Sequence, residues 1–272
     1  MTVSFAARVA AVVAERGPLC VGIDPHAALL REWGLPDDAT GVRELGLRVV
    51  EAAVGRIGVV KPQIAFFERH GAAGYAALEE ILSAARAAGL LVIADVKRGD
   101  VGSTVDAYGE AWLTPGSPLE ADAMTAVAYQ GFGSLSGVVA RAAAHGKGVF
   151  VLSATSNPES AEVQTLRVAD GETIAQRMVG HAAASGGTVG VVVGATVDLA
   201  TVGIDPELLA TVPVLAPGFG AQGAGLAGAP TSFGAALGAI LPNVSRSVLA
   251  AGPEGLAAAI DASVREVASW QR

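Results

Sequence analysis

At 272 residues and a formal net charge of −8, the chain can bury a large core but is too acidic to offer nucleic acid a broad basic face. Apolar residues make up 51% and charged residues only 16%. Even so, no stretch of about 18 residues is both uncharged and dense enough in Leu, Ile, Val and Phe to span a membrane. The single cysteine, Cys20, excludes an intrachain disulfide framework and fits a reducing, cytoplasmic setting.

Residues 3–15 predict a helix, and Arg8, Glu15 and Arg16 break its apolar run before it could act as a secretory signal. The apolar run 19–24 follows and closes on Asp24; Cys20 lies inside it and reads as core. Helical spacing over 41–55 leads to the run 58–61, which closes on Lys61. A helix over 72–88 precedes the run 91–96, and around its end come Asp95, Lys97 and Asp100. The remaining runs are 122–127, 148–153, 189–194, 213–216 and 243–249. Helices are predicted over 134–145, 172–184, 205–210 and 254–270, with a short Gly-rich one near 231–238.

Near-continuous apolar runs suit parallel strands buried on both faces, and their alternation with helices predicts a parallel sheet with crossover helices. Eight such units favour a closed (β/α)8 TIM barrel, an α/β fold occupying 1–272 as a single domain behind an extra N-terminal helix. In such a barrel, chemistry sits at the C-terminal ends of the strands. Three consecutive runs end in charge. Strand side chains alternate faces, so Asp95 and Lys97 should point into the barrel while Val96 points to the helices, with Gly99 letting the chain turn. Buried charges need partners, so the cluster is either a structural salt-bridge network or a preorganised field for catalysis.

The loops after the last two strands are the usual phosphate sites of these barrels. Here they hold Gly218, Gly220, Gln222 and Gly223, then Ser245, Arg246 and Ser247. Arg246 is the only charged residue between Glu207 and Glu254. The G-x-G-x-x-G match at 218–223 is not a dinucleotide fingerprint, because it follows the seventh run and no acid lies about 20 residues on. His26, His70, His145 and His181 show no metal-ligand spacing. Glu68, Arg69 and Glu79-Glu80 read as solvated helix faces, the three tryptophans as packing, and Thr196 as a helix cap.

The pattern Asp95-x-Lys97-x-x-Asp100, with Thr104, resembles the D-x-K-x-x-D-x-x-x-T signature of orotidine 5′-phosphate decarboxylases. Val-Gly-Ile-Asp24-Pro and Val-Val-Lys61-Pro-Gln resemble that family's two earlier strand ends, and the match runs in order from about 19 to 249. The Lys-Pro-Gln form and the length resemble its longer bacterial branch. The resemblance implies decarboxylation of orotidine 5′-monophosphate to UMP without metal or cofactor, as the last step of de novo pyrimidine nucleotide synthesis. Lys97 would protonate C6, within an array completed by Asp95, Lys61 and Asp100. It further implies Asp24 at the ribose, Ser156 at the base, Gln222 and Arg246 at the phosphate, and a homodimer in which Asp100 and Thr104 enter the neighbour's site. The alternatives are a Mg-dependent phosphosugar decarboxylase or aldolase of the same superfamily, which carries an acidic ligand where this chain has Lys61, and a non-catalytic barrel that binds a phosphorylated ligand.

Overall fold

Eight short runs of branched and small residues pair in strict chain order, and the last returns to the first. The computed structural model describes residues 2–220 and 223–271. Its strands are β1 (Cys20–Ile23), β2 (Val59–Pro62), β3 (Leu91–Arg98), β4 (Ala123–Ala126), β5 (Gly148–Ala154), β6 (Val189–Val193), β7 (Val214–Phe219) and β8 (Ile240–Val244). All neighbours are parallel, and β8 closes the barrel on β1 through Cys20↔Asn243 and Val21↔Val244. The predicted (β/α)8 barrel is therefore the observed architecture.

Alternation along the strands sorts side chains into two cores. Outward residues such as Val21, Val60, Val92, Val151, Val191 and Val214 pack against the surrounding helices. Inward residues, among them Cys20, Val59, Ile93, Phe150, Leu215 and Leu241, fill the barrel. Cys20 is core, as expected, and burial pushes its thiol up to about 12.

The helix Phe5–Arg16, capped by Ser4, seals the N-terminal mouth of the barrel. Phe5 and Val9 join the inner core, and the Phe5 ring meets Phe150 edge-on at 5.7 Å. Glycine at 148 makes this possible, since a Cβ there would lie 2.2 Å from the Phe5 ring. Arg8 anchors the helix by donating to the Gly146 carbonyl at 2.9 Å and pairing with Asp122. With one end plugged, the interior opens only where the strands terminate.

The structure departs from the sequence reading in several places. β8 begins at Ile240, not 243, and 246–249 forms a short helix, Arg246–Leu249. Pro242 reads as a strand breaker but sits within β8 opposite Ala216. A helix at Gly102–Leu113 was not foreseen, because it opens on the weak formers Gly102-Ser103-Thr104; its buried Val105, Gly109, Trp112 and Leu113 nevertheless lie on one face. Thr196 caps no helix, and the next one, Pro206–Leu209, takes its cap from Asp205. Glu68 is half-buried and partnered instead of freely solvated: it accepts from Tyr75 Oη at 2.7 Å and pairs with Arg98.

Candidate active site

The site begins where β2 and β3 end side by side, with Gln63 bridged to Asp95. Lys61 projects inward from β2 and donates to Asp95 Oδ2 at 2.9 Å. Lys97 approaches from the other side and donates to Asp95 Oδ1 at 2.6 Å. Each oxygen receives a second donor: Gln63 Nε2 at 3.1 Å on Oδ2, and the Thr125 hydroxyl at 2.9 Å on Oδ1. Four donors saturate the lone pairs of one carboxylate. Asp95 is held as a fixed negative charge, not as a proton acceptor.

Burial would raise the Asp95 carboxyl, but Lys61 and Lys97 outweigh it and hold it well below the usual carboxylate range. For Lys61, burial works against the ammonium, and Asp95 with Asp24 reverse the balance, so the group stays above its ordinary value. Lys61 and Asp95 therefore remain ionised in surroundings that would normally neutralise them. The two ammonium groups differ in access, since the Lys61 side chain is 4% exposed and that of Lys97 44%. Of the two, Lys97 is the more open to a ligand.

The backbone at Lys97 departs from the regular strand assumed in the sequence reading. β3 takes four steps from Ala94 to Arg98 where β4 takes two from Met124 to Ala126. Within this bulge Lys97 adopts φ +46°, the one positive φ among the described non-glycine residues. A lone non-glycine residue in that region costs on the order of 1–3 kcal/mol and persists only where its surroundings enforce it. Val96 still faces the helices, as expected. Gly99 follows the last residue of β3, and it also permits a close approach: a Cβ there would lie 2.2 Å from the Val127 carbonyl.

Lys61, Asp95 and Lys97 line a cavity of about 550 Å³ at the open end of the barrel, together with Asp24, His26, Gln63, Phe66, Thr155, Ser245 and Arg246. Asp24, just past β1, accepts from Ser245 Oγ, while its buried Oδ1 has no hydrogen-bond partner among the described residues. Gly22 makes room for this pair, since a Cβ there would lie 2.9 Å from Ser245 Cβ. Arg246 stands exposed at the cavity rim on the turn Arg246–Leu249. Beside it the end of β7 carries Gly218 at φ +109°, and Gly220 follows at φ +81° against Ser247.

The other predicted site residues lie off this cavity or beyond description. Gln222 falls outside the described residues. Ser156 is exposed beside Gly194, and Thr155 is the residue of that loop that lines the cavity. Asp100 caps the Val101 amide at 2.8 Å, and Thr104 is exposed in the first turn of Gly102–Leu113. Neither lines the cavity of its own chain.

Sequence reasoning passed over Gln63, Thr125 and His26. Gln63 follows Lys61 by two positions and so shares its face. Thr125 is the polar residue within the apolar run Ala123–Ala126, a signal present in the pattern but left unread. His26, set aside with the other histidines, caps the helix Ala27–Glu32 by accepting from the Leu29 amide at 3.2 Å and lines the cavity. No group of three His, Cys, Asp or Glu poised for a metal occurs among the described residues.

Comparison with known proteins returns one consistent result. The family model for "Orotidine 5'-phosphate decarboxylase / HUMPS family" matches residues 17–260. The orotidine 5′-phosphate decarboxylase of Salinispora tropica is 53% identical over 262 residues, covering 93% of this chain and 92% of that one. That of Streptomyces coelicolor is 51% identical over 257 residues, covering 92% and 91%. Among solved structures, a protein from Streptomyces avermitilis superposes with a TM-score of 0.94 at 48% identity, covering 99% of this chain and 96% of its own. OMP decarboxylase of Leishmania donovani does so at 0.77 and 33%, covering 98% of each chain.

Proposed function

The chain belongs to the orotidine 5′-phosphate decarboxylase / HUMPS family and decarboxylates orotidine 5′-monophosphate to UMP in pyrimidine synthesis, and from that premise we propose that Lys97 is the proton donor. The carbon–carbon bond to the C6 carboxyl breaks, CO2 departs, and the electron pair left on C6 takes a proton from Lys97 Nζ. The neutral amine then regains a proton from water. The observation that carries this reading is the Lys61–Asp95–Lys97 array, with both ammonium groups on one carboxylate and Lys97 much the more exposed of the two.

Negative charge builds at C6 as the bond breaks, and an ammonium already in place stabilises it without reorganisation. Asp95 fixes that ammonium while its own lone pairs are all engaged. The remaining contacts bind the parts of the substrate away from the bond that breaks. Asp24, with one carboxylate oxygen committed to Ser245 and the other unpartnered, accepts from the ribose hydroxyls. Ser156 reads the base from the loop after β5. Gln222 and Arg246 hold the phosphate, Arg246 with its forked donors. Asp100 completes the charge array and Thr104 adds a contact, both from the partner of a homodimer. Asp100 is half-buried and Thr104 exposed, and Val101 between them is 54% exposed, which suits a rim that a partner covers. No described helix is long and apolar enough to cross a membrane, and we assign the enzyme to the cytoplasm.

Lys61 argues against the Mg-dependent alternative, because a buried ammonium stands where that chemistry needs an acidic ligand. Purified protein should therefore convert orotidine 5′-monophosphate at the same rate with and without a chelator, followed spectrophotometrically. Turnover that EDTA stops would favour the metal-dependent reading. Arg246→Ala should weaken UMP binding about 10–100-fold, the loss expected for truncating a charge-assisted contact. Unchanged UMP affinity would remove Arg246 from the phosphate site.

A further inference from the structure

The positive φ of Lys97 needs a cause, and a single hydroxyl supplies it. Thr125 is 1% exposed and does not line the cavity. Its Oγ1 accepts from the Lys97 amide at 2.8 Å and donates to Asp95 Oδ1 at 2.9 Å. The same carboxylate oxygen receives Lys97 Nζ at 2.6 Å. Backbone amide, threonine hydroxyl, carboxylate and ammonium thus form a closed ring that begins and ends on one residue. The bulge in β3 directs the Lys97 amide at this side chain on β4. A hydroxyl has one proton and can accept as well as donate, so threonine or serine completes the ring while valine or alanine cannot.

We propose that Thr125 is a positioning residue for the decarboxylation: its hydroxyl clamps Lys97 in the left-handed conformation that presents the ammonium to the substrate. The inference rests on the proton-donor role given to Lys97 above. Thr125 touches no substrate and acts only through Lys97 and Asp95. Removing the hydroxyl releases the amide and one donor of Asp95 together. Lys97 can then relax towards ordinary strand geometry, which shifts its ammonium away from the developing charge while the distant phosphate and ribose contacts persist.

The test is steady-state kinetics on Thr125→Val and Thr125→Ser, with Lys97→Ala assayed in parallel. Thr125→Val keeps the shape of threonine and should lower kcat on the order of 10²-fold, the penalty of a small misplacement. KM and UMP affinity should stay within about twofold, since ground-state contacts are untouched. Thr125→Ser should restore kcat to within about threefold of wild type. Should the valine protein not fold, Thr125→Ala carries the same expectation. Wild-type kcat in a folded hydroxyl-free variant overturns the proposal, as does a serine variant as slow as the valine one. Turnover surviving Lys97→Ala sinks the proton-donor role itself, whereas an inactive Lys97→Ala beside a fully active Thr125→Val sinks only the positioning role.

Discussion

Lys97→Ala lowers kcat by at least about 10⁴-fold, the product of losing a proton donor and a charge already aimed at the reacting carbon, while UMP still binds. The two losses multiply because one nitrogen supplies both. Binding survives because ribose and phosphate are held by residues on other strands, Asp24 beyond β1 and Arg246 beyond β8. The barrel should also survive, since the Lys97 side chain is half open to the cavity and leaves Asp95 three donors. Circular dichroism and UMP titration establish folding and binding, and a sensitive product assay gives the rate. Near wild-type turnover would exclude Lys97 as the acid.

Asp95→Ala should act on stability as strongly as on rate. The change leaves the Lys61 ammonium buried without its main counter-charge, and breaking a buried pair in this way costs about 3–5 kcal/mol. For a chain of this length that corresponds to a fall in Tm on the order of 10 °C. The pH dependence follows from the direction of the Asp95 shift. A carboxyl held below its unfolded value, about 3.9, contributes stability that is complete above that value and is lost as pH falls through the folded one. The difference in Tm between wild type and Asp95→Ala should thus narrow below about pH 4, and narrow again towards alkaline pH, where Lys61 of the variant, buried without its counter-charge, gives up its proton. The Lys61 contribution has the opposite sense: it is complete below the ordinary lysine value, about 10.4, and lost only as pH rises through a higher one. Thermal melts from about pH 3 to pH 9 check the claim, and a gap that widens as pH falls below about 4 would contradict it.

The barrel was legible because each strand is buried on both faces and so reads as an unbroken apolar run. The ends of β2 and β3 were legible because charge at the close of such a run has no cheap packing explanation. What stayed hidden was neutral or geometric. Gln63 and Thr125 bear no charge, so nothing marked them as partners of Asp95. The left-handed turn at Lys97 has no signature, since lysine favours it no more than other residues do; the strict alternation used to align Asp95 with Lys97 reached the correct face through a strand that is not regular there. The run read as 243–249 caught only the end of β8, which starts before Pro242, together with the turn that carries Arg246.

The helix that stoppers the barrel carries a consequence for biosynthesis. Phe5 and Val9 come before every strand in chain order, yet Phe150, on which Phe5 rests, lies more than half the chain further on. A nascent polypeptide must therefore hold two greasy side chains in water, with nowhere to seat them, until β5 has been made. That waiting period, set by topology and not by any weakness of the finished protein, is when this chain most needs shelter from its neighbours.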